Sequence, residues 1–136
     1  MRMDAPSAIR GVLAAALATM GVLHFTPGPS RTMAAMIPPA LRRPGVPSPR
    51  TLVAVTGCCE LAGAAGLLMP STRRAAGVAL LAFYGAVLPA NAYAARHPDR
   101  FGPVAMPIVP RTLLQIGIAA ATAYGAFAQR PAGRAT

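Results

Sequence analysis

Four long apolar runs alternate with polar, proline-rich connectors along this chain. They cover about Gly11–Thr26, Thr51–Pro70, Ala75–Ala95 and Thr112–Gln129. Each approaches the ~20 residues that a helix needs to cross ~30 Å of hydrocarbon. Backbone groups in lipid must be satisfied within the segment, so such runs are helices rather than open strands. The pattern predicts an all-α membrane protein, an antiparallel bundle of four transmembrane helices forming one domain over residues 1–136. Only Ser71-Thr72-Arg73-Arg74 joins the second and third runs, which therefore fold back as a hairpin.

The connectors carry their own pattern. Residues 1–10 followed by an Ala/Leu run imitate a signal peptide, but the run closes in His24-Phe25-Thr26-Pro27 with no small-residue cleavage site. It reads as a retained first helix. Prolines at 27, 29, 38, 39, 44, 47 and 49 bar a continuous helix through the first connector. Within it, Ser30–Ile37 forms two turns with Ser30 as cap and Met33, Met36 and Ile37 on one face, which suits a short helix lying in the interface. The connector Arg96–Arg111 reads as a structured cap over a last helix that starts at Thr112. Small residues four apart (Ala62/Gly66, Ala82/Ala86, Gly117/Ala121, Ala121/Gly125) let membrane helices approach closely.

Composition sharpens the picture. Of 136 residues, 54% are hydrophobic and 12% charged, which sets the chain apart from ordinary soluble domains. The formal charge of +10 is all arginine, placed in connectors and tails and not interleaved with aromatics. That argues against nucleic acid as a partner and for anionic lipid headgroups. Arginine without lysine, beside abundant Ala, Gly and Pro, points to a GC-rich bacterial genome and thus to a bacterial cytoplasmic membrane. Counted by side, Arg2, Arg10, Arg73, Arg74, Arg130 and Arg134 oppose Arg31, Arg42, Arg43, Arg50, Arg96, Arg100 and Arg111. The termini side is the denser, which places both termini in the cytoplasm.

Candidate chemistry centres on Glu60, the acid that lies inside an apolar run; the others are Asp4 and Asp99. An intramembrane carboxyl is costly and marks a functional site when partners are at hand. At ~1.5 Å per residue, Glu60 lies roughly 13 Å below the start of its run, with Asn91 and Gln115 roughly 6 Å below their helix ends. His24 and Arg111 sit at the same end. Arg111, Gln115, Ile118 and Thr122 form one helical stripe, and Tyr84 and Asn91, seven apart, share another face. The expectation is one polar pocket in the connector half, lined by Glu60, His24, Asn91, Arg111, Gln115 and Tyr84. Glu60 is paired there with Arg111 or His24, or is protonated; a buried pair that only fixes helix register is the plain alternative. Vicinal Cys58 and Cys59 read as small apolar residues, because redox pairs space their cysteines as CxxC. No ligand set for a metal appears, and haem between His24 and His97 is disfavoured by the loop position of His97.

An ordered set of short motifs resembles the DoxX-like family of small bacterial membrane proteins. It runs from Gly21-Val22-Leu23-His24-Phe25 through Met36-Ile37-Pro38-Pro39-Ala40-Leu41 to Thr56-Gly57-Cys58-Cys59-Glu60-Leu61-Ala62-Gly63. Gly66-Leu67-Leu68-Met69-Pro70, Thr72-Arg73-Arg74, Pro89-Ala90-Asn91-Ala92-Tyr93 and Arg111-Thr112-Leu113-Leu114-Gln115 follow. Thr112 stands where that family typically has proline. The resemblance implies a four-helix membrane bundle and a link to thiosulfate:quinone oxidoreduction.

Three functions are open from the sequence. The first is a pocket for a lipophilic small molecule such as a quinone, with electrons supplied by a partner redox protein because no cofactor motif is present. The second is a non-catalytic scaffold that docks a partner enzyme. The third is an isomerase acting on a lipid, with Glu60 and His24 exchanging protons as catalytic acid and base. Self-association into a homo-oligomer is compatible with each.

Overall fold

The computed structural model describes residues 4–128, and every regular element among them is a helix, with no strand. Helix α1 spans Ala5–Leu23. It starts ahead of the apolar run because Asp4 caps it, accepting from the Ser7 amide at 2.8 Å. It stops at Leu23, before Pro27 forces Thr26 into an extended conformation.

Helix α2 spans Pro27–Met36, three residues earlier than the sequence pattern places it. Pro27 occupies the first turn, where its missing N–H costs nothing. Ser30 is not the cap; its hydroxyl lies inside the first turn, 3.4 Å from the Pro27 carbonyl. Arg42 closes the other end by donating to the carbonyls of Ile37, Ala35 and Ala34 at 3.0, 2.9 and 3.2 Å. A cation is favoured there because the last carbonyls of a helix lack partners and carry partial negative charge.

Helix α3 spans Pro49–Leu68, capped by Ser48 through the Thr51 amide at 3.2 Å. Its last turn is satisfied by the hairpin, with Thr72 Oγ1 donating to the Gly66 carbonyl at 3.1 Å and Arg73 Nε to that of Leu67 at 3.4 Å. The third apolar run is not one uninterrupted helix. It divides into α4 (Arg73–Ala86) and α5 (Leu88–Ala95), with Val87 between them. Pro89 is the physical reason, since it has no N–H to offer the preceding turn.

A single turn, α6 (Pro98–Phe101), and a 3₁₀ turn over Gly102–Val104 lead into α7, Ile108–Phe127. The last helix begins at Ile108 rather than Thr112 because Pro110 falls within its first turn, where proline is tolerated. The axis bends by 41° between the two parts. By length and composition, Ala5–Leu23, Pro49–Leu68 and Arg73–Ala95 can each cross a membrane. A fourth span is present if Pro98–Val104 and Ile108–Phe127 count as one.

The long helices close a ring in which α1 packs on α3 and α7, α3 on α4, and α4 on α7. Leu13, Leu17, Ala64, Leu67, Leu80, Tyr84 and Ala126 fill its centre. Close approach uses some of the paired small residues expected: an added Cβ on Gly66 would meet that of Ala76 at 2.7 Å, and one on Gly125 would lie 3.2 Å from Arg10. Between α1 and α3, a side chain on Gly21 would strike Leu61 and one on Gly57 would strike His24 and Phe25, and between α4 and α7 one on Gly77 would strike Ala126. Gly117, by contrast, faces open space. At one end, Met36, Ala94, Phe101 and Ala105 form a second cluster that ties the two connectors together. At the other, Arg10, Ser71, Arg73 and Ala128 border a common recess, so the N-terminal end, the hairpin and the end of α7 lie opposite the connectors. Arg2, Arg130 and Arg134 of the charge count, and the end of the last run at Gln129, lie outside the described residues.

A candidate polar cavity at the connector end

Between the four long helices, in their connector half, lies a cavity of about 460 Å³. Leu13, Ala16, Leu17 and Met20 of α1 and Leu114 and Ile118 of α7 supply apolar walls, and Met33 and Met36 of α2, with Ile37, supply its cover. Each of the six candidate residues, His24, Glu60, Tyr84, Asn91, Arg111 and Gln115, borders it. They come from α1, α3, α4, α5 and α7, so the wall is assembled only by the tertiary fold. His97 lies elsewhere: its ring rests against that of Tyr93, tilted by 42° with centroids 4.3 Å apart, and Nδ1 is 2.7 Å from the Tyr93 carbonyl. Cys58 and Cys59 are unbridged and exposed on the outside of α3.

The partner of Glu60 is decided by helix stagger. His24 and Phe25 pack against Gly57, so α1 ends level with that residue. At ~1.5 Å per residue, this is roughly 12 Å below the start of α3. His24 thereby meets Glu60, with Nδ1 3.1 Å from Oε2. Nδ1 is also 2.7 Å from the Met20 carbonyl, an acceptor only, so the Nδ1–H is aimed there. Oε2 is left within ion-pair range but accepts no directed hydrogen bond among the described residues.

Arg111 does not pair with Glu60, contrary to one of the sequence alternatives. Its early place in α7 holds it at the mouth, where Nη1 donates to Asn91 Oδ1 at 2.8 Å, Nη2 to the Val104 carbonyl and Nε to that of Met106 at 3.4 Å. It therefore fastens the cap over 104–106 to α5.

Two other candidates are also engaged with protein groups. Gln115 Nε2 donates to the Tyr84 carbonyl at 2.9 Å. That carbonyl belongs to the last turn of α4, and the Val87 amide at the break is matched with the Phe83 and Gly85 carbonyls instead. Tyr84 turns its hydroxyl to Thr122 Oγ1, 3.1 Å away, and Thr122 is fully buried. Thr56, one turn before Glu60, borders the cavity and returns its hydroxyl to the Leu52 carbonyl at 2.8 Å.

Sequence reasoning passed over Arg10 as a flanking charge. It is buried in the opposite half, with Nη1 donating to the Gly125 carbonyl at 2.9 Å and Nη2 to Ser7 Oγ at 2.6 Å. The signal was its place in the first turns of α1, opposite the end of an antiparallel last helix. Among the described residues no group of three His, Cys, Asp or Glu side chains is placed to hold a metal.

The chain belongs to a family defined as "Domain of unknown function (DUF8561)", whose model matches residues 13–126. No curated protein and no solved structure matches it.

Proposed function

We propose that this chain is a multi-pass protein of a bacterial cytoplasmic membrane, with four spans, that binds a lipophilic small molecule such as a quinone in the connector-half cavity. The observation that carries the reading is one cavity with apolar walls into which a buried carboxyl group, an imidazole, an amide and a guanidinium converge. Ligand sites have this composition, mostly apolar with a few placed polar groups. The membrane setting is supported by apolar side chains exposed on the outside of every long helix, among them Val12, Val55, Val78, Leu113 and Ile116. Such a surface is stable against lipid and not against water. We take the hairpin end as the cytoplasmic one because Arg73 and Arg74 fall in a four-residue link, whereas the seven arginines of the connector end are spread over longer segments.

The resemblance to the DoxX-like family supports a place beside a membrane redox enzyme, with the electrons coming from a partner protein. The matched family has no assigned function and lends nothing to that link. Native mass spectrometry of gently purified protein tests the proposal. A co-purified quinone in its oxidised or reduced form, or another lipophilic molecule, lost in Glu60→Gln, is the expected result. A stoichiometric protein partner with no small molecule would replace it by the scaffold reading.

A further inference from the structure

The hydrogen-bond balance of the cavity wall is uneven. Arg111, Gln115 and His24 each donate to a protein acceptor, and the Tyr84 hydroxyl is matched with Thr122. Glu60 is different. It is 9% exposed, it borders the cavity, and no described residue donates a hydrogen bond to its buried Oε2. A buried acceptor without a donor carries the whole desolvation cost of the group, and more if it is charged. The neighbouring His24 Nδ1–H faces the Met20 carbonyl, and its edge lies 3.1 Å from Oε2. A proton on Oε2 would confront that N–H, so this oxygen is an acceptor. What Oε2 lacks is a donor aimed at it.

We infer that the occupant of the cavity supplies that donor, so that its head group bears a hydroxyl, as in a quinol or another hydroxylated ring, rather than being a dione. This rests on the ligand-binding reading above and adds the polarity of the ligand to it. The ring and the start of its tail lie among Leu17, Met33, Met36 and Ile118, and the hydroxyl donates to Glu60. No electron or proton need be transferred for this recognition.

Three probes with the same ring and short tail separate the possibilities: a benzoquinol kept reduced without oxygen, its dimethyl ether, and the benzoquinone. Binding is measured to the full chain in lipid nanodiscs. The expected result is that the quinol binds about tenfold or more tightly than either other probe, the scale of a hydrogen bond to a charged acceptor. In Glu60→Met, shown to be folded by its helicity, the quinol falls to the level of the ether. Equal binding of quinol and ether, as a water-solvated carboxylate would give, overturns the inference, as does tighter binding of the dione. Either result leaves the pocket intact as a ligand site. A preference that survives Glu60→Met overturns the role given to Glu60. If none of the three binds, the ligand-binding reading itself falls, and this inference with it. Should Glu60→Met not fold, the comparison on the unmodified chain still decides.

Discussion

The guanidinium of Arg10 donates to the carbonyl of Gly125 at 2.9 Å, joining the first helix of the chain to the last turn of the final one. That carbonyl has no partner within α7, and a cation beside it also opposes the negative end of the helix dipole. Arg10→Met keeps the apolar stem and removes the donors. It should destabilise the fold by about 1.5–3 kcal/mol, the range for a hydrogen bond to a charged group. Arg10→Lys should recover only part, because a lysine has no planar fork to reach Ser7 and Gly125 together. Reversible unfolding in mixed micelles measures both, and a neutral Arg10→Met would refute the assignment.

Tyr84 and Thr122 form a buried hydroxyl pair at 3.1 Å. Tyr84→Phe strands the Thr122 hydroxyl and should cost about 1–2 kcal/mol. Adding Thr122→Val removes the stranded group, so the double variant should be less destabilised than the two single changes summed. Binding of the probes should be the same in Tyr84→Phe as in the unmodified chain. Loss of binding with unchanged stability would place the phenol among the ligand contacts instead.

Helices α4 and α7 meet at Gly77, where an added Cβ would overlap that of Ala126. Gly77→Ala should destabilise by about 1–3 kcal/mol, the usual cost of overpacking a tight contact. Pairing it with Ala126→Gly should restore most of that loss. Gly117→Ala, which meets open space, should be neutral or slightly stabilising through helix propensity. A reversed order of the two alanine variants would mean that α7 is rotated from the orientation described.

Arg111 is bonded to Asn91 and not to Glu60. In double-mutant cycles, Asn91→Ala with Arg111→Gln should show a coupling of about 0.5 kcal/mol or more, whereas Glu60→Gln with Arg111→Gln should be additive within about 0.5 kcal/mol. A strong Glu60–Arg111 coupling would restore the ion pair between them that the sequence allowed.

The two connectors share a packed cluster that holds Met36, Phe101 and Ala105, and so lie at one end of the bundle. Single cysteines at 43 and 99, in a Cys58→Ser, Cys59→Ser background, should react together with an impermeant reagent in intact cells. One at 71, in the hairpin, should not. Gly45 and Gly102 are poor choices for this, since both have positive φ, where a cysteine side chain strains the backbone. Reaction at 43 without 99 would break the topology.

How much of this was legible beforehand differs from residue to residue. The apolar run around Glu60 and the proline-rich connectors mark where helices begin and end, because helix length in lipid and the missing N–H of proline are local properties. Even so, the break at Val87 was missed although Pro89 was in plain view. The run is apolar on both sides of it, and hydropathy does not register a lost hydrogen bond.

The sequence by itself determined the helical class, the approximate helix bounds, and the gathering of His24, Glu60, Asn91, Arg111 and Gln115 toward one end. Those follow from transfer energies and helical periodicity, which add up along the chain. Only the tertiary structure decided the pairings. Glu60 lies beside His24 because α1 ends level with Gly57, and Arg111 holds Asn91 because α7 starts at Ile108. Arg10 is buried because α7 ends against it. Stagger and rotation between helices are set by where small residues allow backbones to meet, as at Gly21, Gly57 and Gly77. That is a property of two surfaces together and is not carried by either one alone.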